Sequence, residues 1–143
     1  MLASFKVTVP RRGRSSNSRR AHTDEFFTRV AIRAVRRLPR KFREHLADVA
    51  IVVEHEPSPR QRRGARTGRD ETLYGLYEGV PLTERSASYG LAAPPKITIF
   101  RGPIERDCDT TADISYQVTR TVIHEIAHHF GIDDEHLTQM GLD

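Results

Sequence analysis

A single domain that mixes helices with a few short strands is what this sequence predicts, on three observations. Its 143 residues suit one modest core rather than two. A capped amphipathic helix is signalled after the first twenty or so residues, and a longer one lies near the C-terminus. Three short apolar segments of strand character fall between them. Apolar residues make up 37% and charged residues 29% of the chain, a globular balance, and no apolar run is long enough to cross a bilayer.

Residues 1–22 include VPRRGRSSNSRR, where Pro, Gly, Ser, Asn and positive charge follow no period that would bury a face. They are read as a basic disordered tail. Thr23, with Asp24 and Glu25 after it, is a helix start. Phe26, Phe27, Val30, Ala34, Val35 and Leu38 give that helix an apolar stripe, and Arg29, Arg33, Arg36 and Arg37 occupy the opposite side or the last turn. Pro39 ends it, and a short second helix is expected from about Arg40 to Leu46.

The run Val49-Ala50-Ile51-Val52-Val53 is unbroken, short and rich in β-branched residues, which predicts a central strand buried on both faces. From Glu56 to Arg69 prolines, glycines and arginines predict an exposed loop, with disorder the expectation for so long a connection. Thr72 to Glu78 is read as a strand, and Gly79-Val80-Pro81-Leu82 turns the chain away from it. Ser86 to Pro95 is read as loop. In Lys96-Ile97-Thr98-Ile99-Phe100 the alternation predicts a half-buried strand, stopped by Gly102-Pro103.

The last long helix is expected to begin near Thr110 or Thr111, where Thr110 and Asp113 approximate a capping box. Val118, Val122, Ile123, Ile126, Ala127 and Phe130 fall on one apolar arc, and His124 and His128 lie opposite it. Gln117 and Thr121 stand in the same row as the histidines and are placed to line a wall above them. His129 projects about 100° away from His128, which makes it a poor partner for the same ligand.

His124-Glu125-Ile126-Ala127-His128 carries the chemistry. Side chains four apart share a helix face, so the two imidazoles converge on one metal ion. Gly131 can end the helix in a left-handed turn, and Asp134, three residues on, can fold back as a third ligand. Two His and one Asp make a zinc site with its fourth position left for water, the vacancy a catalytic zinc needs. Glu125 is placed to act as a general base on that water. Asp133, Glu135 and His136 remain substitutes for the third ligand, and a helix N-cap is the alternative role for Asp134.

Charge is divided along the chain. Residues 1–70 carry 18 Lys and Arg against 7 Asp and Glu, and residues 71–143 carry 5 against 12. This is compatible with polyanion or nucleic-acid contact through the basic half, with self-association, or with solvated arginines alone. The single cysteine, Cys108, makes no internal disulfide and fits a reducing compartment. The N-terminus lacks the apolar core and cleavage site of a signal peptide, so a cytoplasmic location is expected.

At these residues the chain resembles the zincin metallopeptidases, specifically the aspzincin pattern HExxHxxGxxD. HEIAHHFGI together with LYGLYEGVPLTERS is similar to a group of short bacterial zincin-like proteins, over about Asp24 to the C-terminus. The resemblance implies one zinc ion held by His124, His128 and Asp134, with Glu125 as the general base. It implies a zincin-like α+β fold over residues 23–143, in which the N-terminal helix and a small mixed sheet pack on the active-site HExxH helix. The implied activity is hydrolysis of a peptide or protein by zinc-activated water, the substrate lying along an edge supplied by Thr72–Glu78 or Lys96–Phe100. A zinc-binding scaffold without peptidase activity, and a nucleic-acid-associated accessory acting through the basic half, stay open beside it.

Overall fold

The computed structural model describes residues 7–8, 22–65, 71–85 and 93–139. Helix α1 (Asp24–Arg36) starts where the capping signal lies: Thr23 Oγ1 accepts the Phe26 N–H at 3.2 Å. Asp24 and Glu25 in its first turn and Arg33 and Arg36 in its last complement the helix dipole. Its inward face buries Phe27, Val30, Ala31, Ala34 and Val35. Helix α2 (Arg40–Arg43) is shorter than the expected span to Leu46. The chain leaves it in successive tight turns, Leu46 N–H to Arg43 O and Val49 N–H to Leu46 O, both 3.1 Å, which carry Leu46 into the core.

One mixed sheet receives the strands β1 (Val7–Thr8), β2 (Ala50–Glu54), β3 (Gly75–Glu78) and β4 (Lys96–Phe100), in the order β1-β2-β4-β3. β2 runs parallel to both β1 and β4, and β3 pairs antiparallel to β4 with Gly75 opposite Ile99 and Tyr77 opposite Ile97. The long helix α5 (Thr111–His129) packs against α1, β3 and β4, so both long helices cover one sheet face. Phe27, Val35, Ile51, Val53, Ile97, Ile99, Val118 and Val122 meet between them as the core. The observed fold is thus the α+β arrangement of helices against a small mixed sheet.

Strand burial reverses two expectations. β2 is buried on one face only, with Ile51 and Val53 inward and Ala50, Val52 and Glu54 partly exposed. β4, expected to be half-buried, buries Thr98 and Phe100 as fully as Ile97 and Ile99. Alternation reports a strand's own chemistry, whereas burial depends on what lies over each face, and that cover comes from elsewhere in the chain.

Two helices lie where breakers were read. α3 (Pro59–Gly64) falls inside the expected 56–69 loop, and it is opened by a capping box in which Ser58 Oγ accepts the Gln61 N–H and Gln61 Oε1 accepts the Ser58 N–H. Pro59 occupies its first position, where no amide is needed. α4 (Arg101–Asp107) starts at the Gly102-Pro103 pair that was expected to stop the chain. Pro103 is tolerated because first-turn amides have no partner within a helix. Gly102 has its own reason: a Cβ there would run into the Glu56 carboxylate and lie 2.8 Å from the His55 carbonyl. Arg101 then joins α4 to the start of α1 through Asp24 at 2.6 Å.

Within the stretch read as a disordered tail, the backbone of Val7–Thr8 pairs with Ile51–Val52; residues 1–6 and 9–21 lie outside the described residues, as do 66–69 and 86–92 of the two expected loops. Among the described residues no helix is long and apolar enough to cross a membrane.

Candidate metal centre

α5 delivers the HExxH residues because its apolar arc is anchored. Ile114, Val118, Val122 and Ile126 are buried against the sheet and α1, which turns the row Gln117, Thr121, His124 and His128 towards a cleft. That cleft has a volume of about 540 Å³, and its far wall is the segment from Glu71 to Tyr77. Gln117 and Thr121 line the wall as expected, tied to each other by a 3.2 Å hydrogen bond.

His124, Glu125 and His128 each offer a ligand atom, and these atoms all lie within 4.8 Å of one another. The two imidazole rings meet edge to face with centroids 4.7 Å apart. Glu125 is buried, and its Oε2 accepts the backbone N–H of Tyr77 at 2.8 Å and Nδ1 of His128 at 3.2 Å. A carboxylate only accepts, so Nδ1 of His128 carries the proton and the ring's lone pair resides on Nε2. Two imidazoles and a carboxylate so close together form a donor set that fits zinc.

The helix ends at His129, and Gly131, just past its C-cap Phe130, takes the left-handed turn. Gly131 has φ +80°, its N–H reaches His128 O and the Ile132 N–H reaches Ala127 O, both at 2.9 Å. These two bonds form a Schellman motif. A Cβ on Gly131 would also collide with the side chain of Thr83, in the 3₁₀ turn Leu82–Glu84. The turn that follows β3 is thereby seated against the end of the site helix.

The short helix α6 (Asp134–Gln139) begins immediately afterwards. Asp133 caps it: its Oδ1 accepts from His136 N at 2.9 Å and from His136 Nδ1 at 2.7 Å. This exchange holds the Asp133 carboxyl below its ordinary range and the His136 imidazole above its own. The capping role considered for Asp134 therefore belongs to Asp133. The Asp134 side chain lies outside the described residues.

β3 was one of two candidates for an edge beside the site, and it is the one that lies there; β4 is interior. Two of its features were missed by the sequence reading. Gly75 lets the strand approach α5, since a Cβ would fall well inside contact with Thr121 Cγ2 and 3.5 Å from Glu125 Cγ. A glycine within a strand pattern is the signal that marked this approach. Tyr77 holds Glu125 through its backbone, an interaction that leaves no trace in side-chain identity. His129, set aside as a ligand, is fully buried with both ring nitrogens engaged: Nδ1 to Tyr77 OH at 2.8 Å, Nε2 to His45 O at 3.0 Å. Burial pushes its pKa down.

A family model described as zincin-like metallopeptidase matches residues 46–142. Among solved structures, a conserved hypothetical protein from Thermo thermophilus is similar over 85% of this chain and 100% of its own, at 23% identity with a TM-score of 0.51. Likeness at that identity speaks for the fold alone. No curated protein matches the chain.

Proposed function

This chain belongs to the family of zincin-like metallopeptidases, and from that premise we propose that it hydrolyses peptide bonds, with zinc held by His124, His128 and Asp134. The observation that carries the reading is the convergence of His124, Glu125 and His128 within 4.8 Å at the wall of an open cleft. Zinc, when bound there, supplies Lewis-acid activation of water and of the scissile carbonyl. Glu125 moves the proton: Oε2 is occupied by two donors, so Oε1 is the oxygen that takes a proton from water and passes it to the leaving amine.

β3 orients the substrate. The Phe100 N–H bonds to Tyr74 O at 2.8 Å, so in the antiparallel register Tyr74, Leu76 and Glu78 point their backbone groups at β4, while Gly75 and Tyr77 point theirs outward. The Gly75 amide and the Gly75 and Tyr77 carbonyls thus face the cleft, where an extended peptide pairs by strand addition.

The test is hydrolysis of a peptide library by zinc-loaded protein beside Glu125→Gln. The variant should keep one zinc per chain and lose about 10²–10⁴-fold in rate. Equal rates in the two proteins would remove the mechanism. Metal content of Asp134→Ala checks the third ligand: unchanged zinc would exclude Asp134. Asp133 and His136, already paired with each other, are the weaker substitutes.

A second reading, a zinc-holding scaffold without hydrolysis, is favoured by the burial of Glu125 and the donors already on its Oε2. In that case chelation lowers the melting temperature, since zinc at about 100 times its Kd adds about 2.7 kcal/mol to stability, while no peptide in the library is cleaved.

A further inference from the structure

We propose that His129 is a positioning residue: through the Tyr77 hydroxyl it fixes β3 at the distance from which the Tyr77 backbone N–H holds Glu125. The proposal rests on the reading of Glu125 as the base, but the arrangement itself can be tested without catalysis.

The chain of contacts runs through one residue. His129 Nε2 lies 3.0 Å from the His45 carbonyl, and a carbonyl only accepts, so Nε2 carries the proton and Nδ1 is the acceptor. The Tyr77 hydroxyl donates to that Nδ1 at 2.8 Å, with the Val80 carbonyl a more distant neighbour at 3.3 Å. The Tyr77 N–H, on the outward edge of β3, donates to Glu125 Oε2 at 2.8 Å. Ring and amide of a single tyrosine are therefore clamped to two residues of α5 that are four apart and share a face.

The strand needs such a clamp. β3 is four residues long and, among the described residues, pairs with β4 alone, and Gly75 offers no side chain to pack against the helix. It is followed by Gly79 at φ +152°. Sliding of this edge by one residue would reverse its faces, carrying the Tyr77 ring away from His129 and the Tyr77 amide away from Glu125. His129 is a suitable anchor because it is fully buried and tied on its far side to the segment after α2. The second histidine of His128-His129 thus serves the site from behind, one residue away from the cleft-facing row.

Amide hydrogen exchange on the full chain, zinc-free and zinc-loaded, tests this. In the wild type the residue-77 amide should be protected although it lies on an open edge. Tyr77→Phe, which removes only the hydroxyl, should raise its exchange about tenfold while the amides of Val53 and Ile99 keep wild-type rates. Two histidine variants separate anchoring from bulk: His129→Asn keeps an acceptor near the Nδ1 position and should retain the protection. His129→Gln keeps a donor near Nε2 but removes the Nδ1 acceptor on α5 from the Tyr77 hydroxyl, and should lose it. Unchanged exchange at residue 77 in Tyr77→Phe, or equal acceleration of Val53 and Ile99, would overturn the proposal. So would equal protection in the two histidine variants. None of these outcomes depends on peptide cleavage, so an inactive protein with the predicted exchange pattern would overturn the peptidase reading and leave the clamp standing. If the protein is active, Tyr77→Phe should lower kcat, because the clamp holds the base in place, and any rise in KM would report the loosening of the same strand where substrate pairs.

Discussion

Tyr74, just before β3, donates its hydroxyl to Asp107 at the end of α4, and that carboxylate pushes the phenol up to about 12. The folded value stands above the ordinary one near 10, so this tether contributes stability in full below about pH 10 and loses it as pH rises through about 12. In ultraviolet titration Tyr74 should ionise only as pH rises towards about 12, and Asp107→Asn should bring it back towards 10. A titration curve left unchanged by Asp107→Asn would refute the tether. The same residues show what a sequence can carry at this scale. His124 and His128 were legible because four-residue spacing on a helix is a local rule. The partners of Tyr74 and Tyr77 lie 33, 48 and 52 positions away, and no local rule pairs them.

Elements are held in place near the site by the two glycines that exclude a side chain. Gly75→Ala would drive a methyl into Thr121 Cγ2 and to 3.1 Å from the Thr98 carbonyl, which should cost about 1–3 kcal/mol; urea unfolding measures it. Gly131→Ala combines a collision with Thr83 and a φ of +80°. The backbone share is about 1–3 kcal/mol, so adding Thr83→Gly should recover only part of the loss. Full recovery would show that the left-handed turn costs nothing. The C-terminal stop of α5 was readable because Gly131 must take a conformation other residues avoid. α3 and α4 were not: Pro59 and the Gly102-Pro103 pair break a helix interior but are at home in a first turn, and composition does not distinguish these positions. Ser58 and Gln61, three apart, were the overlooked start signal for α3.

At the scale of the whole molecule, the sheet has two edges and the chain treats them differently. β3 leaves its outward backbone groups beside His124, Glu125 and His128, with Glu125 already on one of them. The other side of β2 is met by Val7–Thr8, two residues inside a stretch whose composition predicts a tail. An exposed strand edge templates pairing with another chain, so the open β3 edge is tolerable only if the second edge does not also recruit neighbours. Deleting residues 1–8 should therefore lower the melting temperature and produce concentration-dependent light scattering where the full chain stays monodisperse. The deletion leaves His124, Glu125 and His128 untouched, so zinc content should hold at the wild-type level. If melting and scattering both match the full chain, Val7–Thr8 adds nothing to the fold, and the reading of residues 1–22 as a tail stands.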